Sequence, residues 1–174
     1  MICAENLMLN DYVIYEGQIC KIYTTGKPNV VRIIKPNNSI TRAEFIKIFN
    51  KYFNLTNTSG KSFSDTSNHW AKNEIDIAIT NNIITGFEDK TFRPDEPMTR
   101  EQAALIISKY KKLQNNNLNH INKYNDSNNI SSWAKDAVES MLKNGYMNGY
   151  SDNTLRPKNN LTRAEAVSLL GRVK

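Results

Sequence analysis

The strongest constraint on the fold is internal repetition. The stretch "WAKNEIDIAITNNIITGFEDKTFRPDEPMTREQAA" (residues 70–104) aligns without a gap on "WAKDAVESMLKNGYMNGYSDNTLRPKNNLTRAEAV" (residues 133–167), 63 residues further on. Trp70 meets Trp133, Gly86 meets Gly149, Asp89 meets Asp152, Thr91 meets Thr154 and Arg100 meets Arg163. Upstream, "FSD" (63–65) answers "YND" (124–126). A third, partial copy, "KPNNSITRAEFIKIFNKYF" (35–53), matches only the end of the unit. A chain built this way folds as stacked copies, each too small to bury its apolar face alone. Polar, turn-rich linkers (54–62 and 114–129) separate the copies.

Each full copy reads as helix, turn, helix. Ala71, Ile75, Ala78 and Ile79, and likewise Ala134, Ala137, Val138 and Met141, recur at helical spacing. Asn82 and Gly145 stand where a left-handed cap ends such a helix. In the turn, Gly86 and Gly149 allow positive φ or a close approach. Asp89 with Thr91, and Asp152 with Thr154, suit side-chain-to-backbone bonds. Pro94 and Pro157 are expected to keep the chain extended. A second helix then opens on Thr41-x-x-Glu44, Thr99-x-x-Gln102 or Thr162-x-x-Glu165, each a capping box. Its core face is expected to be Phe45, Ile48, Phe49 and Tyr52 in the first copy, Leu105, Ile106 and Lys109–Tyr110 in the second, and Val167, Leu170 and Val173 in the third.

The arginine after each capping threonine (Arg42, Arg100, Arg163) is the residue that helix formation does not explain. A cation in the first turn opposes the helix dipole by about 0.3–1 kcal/mol. Helix N-terminal amides attract anions, and a guanidinium fork fits a carboxylate bidentately, so the three sites read as carboxylate-binding corners. The opposing reading pairs each arginine with an acid of a neighbouring copy.

Composition narrows the alternatives. The formal net charge is +6, but 23 basic residues are scattered among 17 acidic ones. No basic element interleaved with aromatics points to nucleic acid. No apolar run reaches the ~18 residues of a membrane span, and the first residues lack the form of a signal peptide. Cys3 and Cys20 form no zinc or redox motif. His69 and His120 lack a nucleophile motif or HExxH pattern, and no cofactor or metal site is expected.

In combination, F-x-D…W-A, G-Y/F-x-D-x-T-F/L-R-P and I/L/M-T-R-A/E-E/Q resemble the S-layer homology repeat of bacterial surface proteins. Residues 63–110 and 124–174 resemble full repeats, and 35–53 the end of a first one. The resemblance implies a mainly α, pseudo-threefold domain around a three-helix bundle, a monomer with grooves between repeats. It implies that the grooves hold secondary cell-wall polysaccharide bearing a pyruvate ketal, at the bacterial surface if the chain is exported. By matching position, the arginines Arg42, Arg100 and Arg163 would meet the pyruvyl carboxylate. Trp70 and Trp133, Asp65 and Asp126, and Gly86 and Gly149 would shape the sugar site. The bland counterparts are core packing for the tryptophans, helix capping for the aspartates and turn formation for the glycines.

Repeat one lacks its own Asp, Trp and Gly, so Arg42 needs a neighbour's residues to complete a groove, whereas Arg100 and Arg163 lie in complete repeats. Residues 1–34 carry an alternating pattern over Tyr12–Tyr23, expected to form a β-hairpin around Glu16–Gly17. Three readings of this segment stay open: a substitute for the missing half-repeat, part of another module, or a truncated or mis-started gene. The expected function is a non-catalytic anchoring module. The alternatives are a structural remnant without wall binding and the anchoring part of a longer wall hydrolase.

Overall fold

The structure is a computed structural model. It describes residues 35–114 and 119–173 with their side chains, and the backbone of three strands. The strands β1 (Tyr12–Tyr15), β2 (Gln18–Tyr23) and β3 (Val30–Ile33) pair antiparallel in the order β1-β2-β3. Glu16 and Gly17, the turn of the hairpin expected over Tyr12–Tyr23, lie outside the described residues, as does Cys3.

Among the described residues five α-helices follow: α1 (Arg42–Tyr52), α2 (Lys72–Thr80), α3 (Arg100–Tyr110), α4 (Lys135–Lys143) and α5 (Arg163–Arg172). The fold is mainly α, as the repeats require. All three capping boxes form. Glu44, Gln102 and Glu165 each donate a backbone N–H to the threonine Oγ1, and the side chain of each accepts the threonine N–H. Asn82 (φ 56°) and Gly145 (φ 69°) adopt the left-handed conformation past α2 and α4. The Ile83 and Tyr146 amides then donate back to Ala78 and Met141.

The three copies close on themselves through one small ring. The Ile40 amide donates to the Leu161 carbonyl (3.0 Å), Leu161 to Met98 (2.8 Å), and Met98 to Ile40 (2.9 Å). All three residues are buried. This cyclic ladder is the pseudo-threefold axis, and α1, α3 and α5 start from it. Phe49 ties α1 to α3 further down, with its ring 5.3 Å from that of Tyr110.

The outer helices pack on the neighbour's inner one: α2 on α1, and α4 on α3. Asn50 of α1 donates to the Glu74 carbonyl (2.8 Å) and carboxylate (2.9 Å) of α2. Beside α5 lies β2. The α3 core face differs from the expected one. Ala103, Ala104 and Ile107 are fully buried while Leu105 is only half-buried, because α3 is covered on both flanks.

The linkers are pinned by buried carboxylates at matching positions of α2 and α4. Asp76 accepts from the amides of Ser59, Gly60 and Lys61. Glu139 accepts from the amides of His120 and Ile121, with His120 Nδ1 at 2.6 Å. Burial pushes both carboxyls up, but the converging donors win and hold them below the usual range.

Candidate functional site

The turn is built around Asp65 or Asp126. Both oxygens of Asp65 accept backbone amides, from Phe92 (2.9 Å) and Arg93 (2.6 Å). Asp126 accepts the same pair from Leu155 and Arg156, each at 2.7 Å. These aspartates clamp the turn and cap no helix. The clamp has a physical cause. Arg93 (φ 57°), Arg156 (φ 50°) and Lys35 (φ 39°), the residues before each proline, sit in the left-handed region. That region is uncommon for a residue with a side chain. The expected extended passage before Pro94 and Pro157 is therefore a sharp bend. Asp89 and Asp152 brace it as expected, accepting from the amide and hydroxyl of Thr91 and Thr154. Arg93 and Arg156 pair with them at 3.0 and 2.7 Å. The Thr91 hydroxyl and then Arg93 lower the Asp89 carboxyl to about 2.

The two glycines serve close approach. A Cβ on Gly86 would overlap the Phe63 ring, and one on Gly149 the Tyr124 ring. Gly86 also has φ 72°, so both of its functions exclude a side chain.

Each arginine reaches out of its own copy and into the next one. Arg42 Nε donates to the Phe92 carbonyl (2.9 Å), and its guanidinium lies over Phe87 (4.8 Å) and Phe92 (4.5 Å). Arg100 Nε donates to the Leu155 carbonyl (2.9 Å) and Nη2 to the Asn148 carbonyl (3.0 Å), with the guanidinium over Tyr150. Arg163 has the first copy as its neighbour, where the Gly-aromatic turn is missing. Its Nη1 pairs instead with Glu44 (2.6 Å), and its buried Nε has no partner among the described residues. The expectation that Arg100 and Arg163 have the complete settings is thereby corrected: the complete turns belong to Arg42 and Arg100. Phe87 and Tyr150 are each also flanked by Arg93 or Arg156 (4.0 and 4.1 Å). They were legible only as the aromatic following the glycine in both full copies.

The helix N-terminal amides are already used. Arg42 and Ala43 donate to the carbonyls of Glu96 and Pro94, Arg100 and Glu101 to Asn159 and Pro157, and Arg163 and Ala164 to Asn38 and Pro36. These bonds join the copies, so the anion corner expected from free amides is not formed. The arginine side chains alone remain for that task.

An open groove of about 330 Å³ lies over Arg100, between the Asn148–Tyr150 turn and the Glu165, Ser168 and Arg172 face of α5. Within it, the Tyr150 hydroxyl donates to Glu165 (2.7 Å), and Arg100 Nη1 stands 3.8 Å from the same oxygen. Desolvation pushes the Glu165 carboxyl up, but the Thr162 amide, the Tyr150 hydroxyl and the Arg100 charge outweigh it and leave it below its usual range. At matching positions, Arg42 lies against Phe87 of the Thr85–Phe87 turn, and Gln102 of α3 is the residue that matches Glu165. Arg42 is 7% exposed, and no carboxylate comes within 4 Å of it among the described residues. Desolvation lowers its pKa to about 10, so it remains a cation at neutral pH.

Among the described residues the tryptophans are the exposed large apolar ones, Trp70 at 57% and Trp133 at 50%. Trp70 flanks α1, with Lys47 Nζ 5.4 Å from its ring. The single 3-10 turn carrying Trp133 (Ser132–Ala134) packs on α3, and Ser131 beside it donates to Glu101 from both amide and hydroxyl. Arg42 thus comes from the first copy and the turn it meets from the second, while the turn carrying Trp133 of the third copy packs on α3.

Sequence comparison agrees with this architecture. A profile of the S-layer homology domain matches residues 62–104 and 123–167, just over half of the chain. The chain belongs to the S-layer homology domain family. It is 32% identical over 154 residues to a cellulosome-anchoring protein of Acetivibrio thermocellus, covering 80% of this chain and 33% of that protein. It is 35% identical over 141 residues to an amylopullulanase of Thermoanaerobacterium thermosulfurigenes (78% and 8%), and 31% identical over 113 residues to the S-layer protein EA1 of Bacillus anthracis (64% and 13%). The chain spans a third or less of these relatives. Among the described residues no helix is long and apolar enough to cross a membrane, and no cluster of three or more His, Cys, Asp or Glu could hold a metal ion.

Proposed function

We propose that this chain is a non-catalytic anchoring module that holds a protein at the bacterial cell wall by binding secondary cell-wall polysaccharide in the grooves between its repeats. The names of its relatives, a cellulosome-anchoring protein and S-layer proteins among them, support the anchoring part. The observation that carries the polysaccharide part is Arg42. Its guanidinium is desolvated, no carboxylate comes within 4 Å of it among the described residues, and the turn carrying the exposed Trp133 packs on the neighbouring inner helix, α3. An unpaired buried cation costs several kcal/mol. The carbonyl bond, the two ring contacts, about 0.5–2 kcal/mol each, and the more distant charges of Glu96 and Asp65 offset only part of that. A bound anion completes the balance, and the pyruvate ketal of a wall polymer supplies a carboxylate on a sugar. An exposed indole offers its face to sugar C–H groups.

The test is co-sedimentation with purified walls, native or treated with mild acid to hydrolyse the acid-labile ketals. The chain is expected to pellet with native walls and stay in solution with stripped ones. Equal pelleting with both would remove the carboxylate from the account. A second reading, the anchoring part of a longer carbohydrate-active enzyme, is favoured by the match to small fractions of an amylopullulanase, an exoglucanase and an endoglucanase.

A further inference from the structure

We propose that the three-stranded sheet takes the place of the outer helix that the first copy lacks, so that it completes the ring of repeats instead of forming a module of its own.

The two full copies obey one rule of connection. In the second copy, the Pro94 carbonyl accepts the Ala43 amide at the start of α1, and the helix before that proline, α2, packs on α1. In the third copy, the Pro157 carbonyl accepts the Glu101 amide at the start of α3, and the helix before it, α4, packs on α3. In the first copy, the Pro36 carbonyl accepts the Ala164 amide at the start of α5. The rule therefore puts the element before Pro36 on α5. That element is the sheet, and its central strand, β2, lies against α5.

The flank of α5 matches the flanks that carry a helix. On α1, Asn50 bonds Glu74 of α2, and on α3, Glu101 bonds Ser131 just ahead of α4. Ile46 and Ala104 lie on the same stripes, a helical turn away, and are fully buried. Their counterpart on α5 is Val167, which is 4% exposed, with Ala164 and Gly171 on either side of it along the stripe. The sheet needs this contact in turn. Strands of 4, 6 and 4 residues gain stability by packing a face on a helix. Two residues separate β3 from Pro36, so the bond at Ala164 brings the sheet to α5 at small cost in loop entropy.

Two measurements on the full chain test this. Lys21 of β2 is paired on both sides, with Tyr12 and Arg32, and proline breaks a central strand. Lys21→Pro is expected to lower the melting temperature of the helical circular-dichroism signal by about 5 °C or more, while Lys21→Gln melts like the parent. An unchanged helical melt in Lys21→Pro overturns the proposal and makes the sheet a separate module. The second measurement is a cross-link by a short bis-maleimide in a Cys3→Ser background. One cysteine is placed on the α5 flank, as Ala164→Cys or as Gly171→Cys, where an added Cβ meets nothing within 4 Å. The other is the native Cys20, or Ile19→Cys combined with Cys20→Ser. Neighbouring strand residues alternate faces, so one of these two serves whichever way the sheet is turned. A cross-link within the chain is expected from the α5 flank and not from Lys143→Cys, exposed at the end of α4. No cross-link from the flank, or an equal one from Lys143→Cys, overturns the proposal. So does a product that joins two chains instead, which would make a second copy the cover of α5.

Discussion

Arg163 Nη1 lies 2.6 Å from Glu44 Oε1, a contact that spans 119 residues of sequence and joins the last helix to the first. It occupies the place where the other two arginines meet a Gly-aromatic turn. Arg163 is thus committed to ring closure. Arg163→Gln should destabilise the fold by about 1 kcal/mol, the pair being partly exposed and screened, while wall binding is retained. A denaturant titration and a wall-pelleting assay on the same preparation check both halves.

The ring at the axis makes a stronger claim on stability. Leu161 is buried at the meeting point of all three copies and bonds the Met98 carbonyl through its amide. Leu161→Ala should cost about 2–5 kcal/mol through the cavity it leaves. Urea unfolding should show the loss in a single transition across all copies, and separate transitions for the two full repeats would refute the closed ring.

Asp126 was legible as a sugar-site residue only through resemblance, and its contacts give it a different task. Asp126→Ala removes the acceptor for two amides that hold Arg156 in the left-handed region. A loss of about 1–3 kcal/mol is expected. Any fall in wall binding should track the fraction unfolded, and a fully folded Asp126→Ala that fails to bind would return the residue to the ligand.

What the sequence revealed and what it concealed follow one line. Features local to a copy were readable: the capping boxes at Thr41, Thr99 and Thr162, the left-handed ends at Asn82 and Gly145, and the Asp89–Thr91 turn. What depends on which copy meets which was hidden, because matched copies offer identical partners to a reader of sequence. Arg42 looked deprived because its own copy is incomplete, yet its partners come from the second copy. The helix-start amides looked free because their acceptors, the carbonyls of Pro36, Pro94 and Pro157, belong to neighbouring copies.

Acid should loosen the linkers first. The folded-state pKa values of Asp76 and Glu139 lie below their unfolded values. Their stabilisation is therefore present above the ordinary carboxylate range, 3.8 for Asp and 4.5 for Glu, and is lost as pH falls through the lower folded values. The melting temperature should decline below about pH 4. Glu139→Gln should melt lower at neutral pH and show a shallower acid decline, and an unchanged slope would contradict the assignment.

The tryptophans should differ as well. The turn carrying Trp133 packs on α3, in the copy whose turn Arg42 meets, whereas Trp70 stands beside α1, whose Glu44 is taken by Arg163. Trp133→Ala should weaken wall binding about tenfold and Trp70→Ala much less. Both are exposed, so both variants should keep the melting temperature of the parent.

The central claim is that the working carboxylate site is made by Arg42 reaching into the second copy. Wall pelleting of Arg42→Gln beside Arg163→Gln, each shown folded by its thermal melt, tests it most directly. The account predicts that Arg42→Gln stays in the supernatant while Arg163→Gln pellets like the parent. The reverse pattern, or equal pelleting by both, would contradict it.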